Sequence, residues 1–129
     1  MSGWQRRALP AQPDLLAPDG SQIRLLVGGG RGSMVHCTLP AGQVSLAVRH
    51  RAVEEVWYVL SGQGELWRSR DGTEAVAALA AGVSVDLPLG THFQFRATGD
   101  APLCLLIVTM PPWPGPEEAV RVADHWPPA

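Results

Sequence analysis

His50 and Glu55 are the side chains of this 129-residue chain whose types and setting best suit chemistry. An imidazole titrates near neutrality, and a carboxyl removed from water holds its proton more tightly. A His and a Glu facing one enclosed space therefore form a pair able to exchange protons with a bound molecule. Alternation points both of them inward. Val44, Leu46, Val48 and His50 share one face of a strand-like run, while Ser45, Ala47, Arg49 and Arg51 share the other. In the next run Glu55, Trp57 and Val59 alternate with Val56, Tyr58 and Leu60, so both faces are apolar and the strand is expected to be covered on both sides. Placed on neighbouring strands, His50 and Glu55 fall within hydrogen-bonding reach of each other. Glu54 faces outward as a solvated or Arg-paired charge. His92 would have to turn inward to join this pair. Alternation opposes it: Phe93 and Phe95 share one face, and turning His92 inward would bring Gln94 and Arg96 into the core, burying Arg without a partner.

Composition removes several other chemistries. All ten basic residues are Arg, so a Schiff-base lysine, a phosphate-binding P-loop lysine and a lysine general base are excluded for the chain acting alone. The net charge is -2 and the Arg residues are scattered singly or in pairs, which argues against wrapping nucleic acid. The longest apolar stretch, Leu103 to Met110, is far shorter than the ~20 residues that cross a bilayer. Arg6-Arg7 lacks the apolar region of an export signal on its C-terminal side, where Pro10, Pro13 and Pro18 break the chain. A cytoplasmic location without membrane attachment is expected. Cys37 and Cys104 lie in apolar runs without a CxxC neighbour and read as buried free thiols.

The elements that must position these side chains are short strands. Gly and Pro together make 26 residues, and they punctuate nine apolar runs: 23–27, 34–39, 44–50, 55–60, 65–69, 75–79, 83–87, 93–97 and 103–109. Many short strands at regular spacing mean an all-β sandwich or barrel. Residues 1–22 read as an irregular, Pro-rich arm, residues 23–110 as the barrel, and residues 111–129 as a Pro/Trp-rich tail. In that tail Pro116 to Arg121 resembles a short helix, with Pro and two acids in its first turn. Trp113 is expected to pack across one end of the barrel or on a partner subunit. His36 reads as a surface or interface residue, and His125 as chemically idle.

Two stretches resemble the cupin family. Its first motif, G-x5-H-x-H-x4-E-x6-G, aligns with Gly42, Val48, His50, Glu55 and Gly62; its second, G-x5-P-x-G-x2-H-x3-N, aligns with Gly82, Pro88, Gly90, Phe93 and Ala97. Every Gly and Pro is in register over a match from about Ile23 to Met110. The resemblance implies a double-stranded β-helix, or jelly roll. It also implies a metal held by three His and one Glu, but Val48 and Phe93 stand at two of the four ligand positions and leave His50 and Glu55. The cofactor is accordingly open: none, or one divalent metal (Fe, Zn, Mn or Ni) on His50, Glu55 and His92.

With those positions apolar, the barrel mouth becomes a pocket lined by Val48, Trp57, Phe93 and Phe95 around one His and one Glu, a composition suited to a small apolar or aromatic metabolite. Arg49, Arg51 and Arg96 face outward, which disfavours a sugar phosphate. The leading expectation is a small-molecule protein with a degraded metal site. Its alternatives are a metal-dependent oxygenase or isomerase and a non-catalytic sensor or binding module. The chain is expected to form a homodimer through an outer apolar sheet face.

Overall fold

The computed structural model describes residues 3–129. The chain forms β1 (Leu15–Leu16), β2 (Gln22–Gly28), β3 (Ser33–Leu39), β4 (Val48–His50), β5 (Glu54–Ser61) and β6 (Gln63–Arg70). It continues through β7 (Thr73–Ala80), β8 (Ser84–Leu87), β9 (His92–Ala97), β10 (Leu103–Met110) and β11 (Ala119–Arg121). These make two antiparallel sheets: six strands ordered β1-β2-β3-β10-β5-β8, and five ordered β11-β4-β9-β6-β7. Period-2 burial drives the pairing. Leu103, Leu105, Ile107 and Thr109 of β10 are buried while the residues between them are half-exposed. The core fills the space between the sheets, with Trp57, Val59 and Leu105 meeting Leu66, Phe93 and Phe95. Among the described residues no helix is long and apolar enough to cross a membrane.

Turn chemistry sets the registers. Asp71 and Gly72 both take positive φ, 52° and 81°, the backbone of a two-residue hairpin, and Arg70 pairs with Thr73 across it. Gly64 is required for another reason, since a Cβ there would collide with the Arg96 carbonyl oxygen on the neighbouring β9.

Several expectations change. The run 44–50 is a strand only over Val48–His50, and Ser45 and Ala47 are buried rather than outward. The rest of the chain takes the missing hydrogen bonds: Val44 exchanges backbone bonds with Ala129, the Leu46 N–H donates to the Asp19 carbonyl, and the Ala47 N–H donates to Asp124 Oδ1. Pro116 to Arg121 is no α-helix. It is one 3-10 turn, Pro116–Glu118, followed by β11, which pairs with β4. Strand β5 is not covered on both faces by its own chain, because Val56, Tyr58 and Leu60 are exposed. The arm carries β1, which pairs with β2 at the start of the barrel. Cys37 is buried and Cys104 half-buried, and both are free.

The tail also covers the outer face of β9. Gln94 points away from the core as alternation requires, yet it is fully buried. Its Nε2 donates to the carbonyls of Ser45 and Trp126, and its Oε1 accepts from the N–H groups of His125 and Trp126. Arg96 lies over the Trp126 ring at 4.2 Å and pairs with Glu65. His125 stacks on Trp67, with ring centroids 5.2 Å apart.

Candidate functional site

Between the sheets lies a cavity of about 430 Å³. The six-stranded sheet contributes Glu55, Trp57, Ile107 and Thr109 to its wall; β4 and β9 of the other sheet contribute Val48, His50 and Phe93. The N-terminal arm adds Leu15, Ala17, Pro18 and Asp19, and the tail adds Pro112 and Trp113. Arm and tail therefore extend the walls that the barrel strands begin and leave the cavity partly open.

Glu55 is held by two donors. The Trp57 Nε1–H, two residues along on the same face of β5, donates to Oε1 at 3.0 Å; the Thr109 hydroxyl, directly opposite in the β10 ladder, donates to Oε2 at 2.8 Å. Burial pushes the Glu55 pKa up to about 7. The two hydrogen bonds oppose that rise, while the negative charges of Asp19 and Glu118 add to it.

His50 is also buried, with its ring edge-on to Phe93 and Trp113, each 5.2 Å away between centroids. Neither of its ring nitrogens has a hydrogen-bond partner among the described residues. Burial pulls its pKa down to about 4, against the pull of the Glu118 charge, so the imidazole is neutral near pH 7.

His50 and Glu55 do not hydrogen-bond to each other, contrary to the expected dyad. They sit on different sheets, on β4 and β5, and face the cavity from opposite walls. Val48, Trp57 and Phe93 line the cavity. Phe95 does not: two residues, or ~7 Å, further along β9, it packs in the core with its ring edge-on to Trp57 at 5.0 Å. His92 is also outside the wall. It shares the outer face of β9 with Gln94 and Arg96, as the pleat demands.

Asp19, Thr109 and Trp113 were not among the site residues read from sequence. Thr109 continues the inward row of β10, so alternation contained the signal. Asp19 reads as part of an Asp-Gly turn, and nothing local marks it as a cavity residue. Its Oδ1 accepts from the N–H and hydroxyl of Ser21, at 3.0 and 2.7 Å, and burial raises its pKa against those bonds. Glu118 is buried behind His50, where its Oε2 accepts from the Ala52 and Val53 N–H groups.

A model of the cupin domain matches residues 35–109, more than half of the chain, and the chain belongs to the cupin family. It is 27% identical over 103 residues to an uncharacterised protein of Methanocaldococcus jannaschii, covering 76% of this chain and 79% of that one. Among solved structures it resembles a Bacillus halodurans protein, at 21% identity and a TM-score of 0.66, over 72% of each chain. It also resembles Bacillus subtilis oxalate decarboxylase, which has Mn(II) centres, at 17% identity and a TM-score of 0.71, over 86% of this chain and 30% of that one. A third likeness is the cupin domain of Schizosaccharomyces pombe Cnp3, at 12% identity and a TM-score of 0.64, over 70% of this chain and 64% of that one. At these identities the structures show the shared fold.

The metal that the family's motifs imply does not fit these residues. Val48 and Phe93 offer no lone pair, and His92 is on the wrong face of β9. Among the described residues no three His, Cys, Asp or Glu side chains converge as a metal-holding group.

Proposed function

We propose that this cupin binds a small apolar or aromatic molecule in its barrel, with His50 and Glu55 as polar anchors on opposite walls. One observation carries the reading: a partly open, mostly apolar cavity of about 430 Å³ lined by a buried His whose ring nitrogens have no partner among the described residues. A bound molecule that pairs with such a nitrogen replaces its hydrogen bond to water with one made inside a mostly apolar cavity. Glu55, balanced between its two protonation states near pH 7, is the group equipped to exchange a proton with that molecule.

The test uses 2-phenylethanol as a neutral aromatic probe, with saturation followed by the indole N–H resonances of Trp57 and Trp113. Saturable shifts are expected in the wild type. They should vanish in Val48→Phe, which fills the cavity, with folding of that variant checked by circular dichroism. Shifts that persist unchanged in a folded Val48→Phe would place binding elsewhere. Glu55→Gln then separates transformation from binding: a variant that binds as well as the wild type but no longer turns a substrate over makes Glu55 the proton-transfer group.

A further inference from the structure

The charge around the cavity limits what can enter it. Among the described residues no Arg lines the wall and none of the four ion pairs includes Asp19 or Glu55, and the chain has no Lys. The two carboxyls instead act on each other, since the charge of Asp19 helps to hold the Glu55 proton in place. Neither carboxyl finds a protein cation to balance it when it ionises, so an added anion would deepen their mutual repulsion, whereas an added cation would relieve it and favour their ionised forms.

Hydrogen-bonding capacity points the same way. Asp19 Oδ2 has no donor among the described residues, and in the ionised form each Glu55 oxygen accepts one bond and keeps a second lone pair. His50, more than nine-tenths buried, lines the same cavity with both ring nitrogens unpartnered. Uncharged, it offers one acceptor and one donor. The unused capacity of the wall is therefore mainly acceptor capacity, and a ligand that satisfies it must bring several donors. An ammonium group brings three in one compact charge, while Trp57, Phe93 and Trp113 give the hydrocarbon part apolar and aromatic contact.

Building on the cavity reading above, we propose that the cavity selects a small apolar amine, held as its ammonium between Asp19 and Glu55, over a neutral or anionic molecule of similar shape. Asp19 thereby becomes a specificity residue supplied by the N-terminal arm.

Calorimetric titration of the full chain near neutral pH with 2-phenylethylamine, 2-phenylethanol and phenylacetate tests this. The amine should bind about tenfold or more tighter than the alcohol, and phenylacetate weakest of the three. Asp19→Asn and Glu55→Gln should each weaken the amine by about fivefold or more and leave the alcohol within about twofold. Because the three-ligand comparison uses wild-type protein, it stands even if a variant fails to fold. Alcohol binding as tight as the amine, or phenylacetate binding tightest, would overturn the amine preference and leave the cavity reading intact. If none of the three binds, both fall.

Discussion

The indole of Trp113 meets the imidazole of His50 edge-on, with ring centroids 5.2 Å apart and planes at 76°. A residue of the C-terminal tail thus helps to keep water from a histidine on β4. Trp113→Ala should let water reach the imidazole and move its titration midpoint from about 4 toward 6.5, a rise of at least about one pH unit. NMR titration of the His50 ring protons measures it, and an unmoved midpoint would show that Trp113 does not desolvate His50.

The two buried titratable anchors pull stability in opposite directions with pH. Glu55 has a folded pKa near 7, raised from 4.5, so the native state binds the extra proton between those values and stability falls as pH rises through that window. His50 has a folded pKa near 4, lowered from 6.5, so the unfolded state binds the extra proton and stability falls as pH drops through 6.5 toward 4. Each slope is about 1.4 kcal/mol per pH unit, and from pH 4.5 to 6.5 they cancel. Relative to wild type, Glu55→Gln should gain about 3 kcal/mol as pH rises from 4.5 to 7. His50→Gln should gain a similar amount as pH falls from 6.5 to 4. Urea unfolding across this range reads both, and curves parallel to wild type would contradict the burial of these groups.

Gln94 secures the tail to the barrel through four hydrogen bonds at a fully buried position. Gln94→Leu keeps the bulk but strands two carbonyls and two N–H groups, which should cost roughly 2–4 kcal/mol. Hydrogen exchange at the His125 and Trp126 amides should speed up before the strand amides do. Equal protection in variant and wild type would mean that the tail is held by other contacts.

Gly64 and Gly82 should respond differently to alanine. At Gly64 the new Cβ meets the Arg96 carbonyl and forces β6 from β9, whereas at Gly82, with φ of 91°, nothing lies within 4 Å. Gly82→Ala should cost about 1–2 kcal/mol of backbone strain, and Gly64→Ala more. Chemical denaturation of the two variants ranks them, and a reversed order would put the tight approach of β6 and β9 in error.

Much of the fold is legible in the local pattern. Alternation turns Glu55, Trp57, Phe93 and Phe95 inward and His92 and Arg96 outward, and the Gly and Pro positions mark the reversals. These properties depend on a residue and its near neighbours, so a linear sequence carries them. The two corrections inside the tail and run 44–50 share one cause. Strand β11 and the segment before β4 owe their conformation to partners far away in the chain, such as Ala129, Asp124 and Asp19, which no local periodicity encodes.

The candidate site divides the same way. The residue types, one His, one Glu and no Lys, and their inward facing are legible in the chain, because these come from composition and the pleat. Packing set His50 and Glu55 on opposite sheets without touching, put Phe95 in the core beyond the cavity wall, and brought Asp19 and Trp113 into that wall. Those relations come from two sheets stacking and from two chain ends folding over them. They are set by long-range packing, in which segments more than fifty residues apart in sequence become one wall.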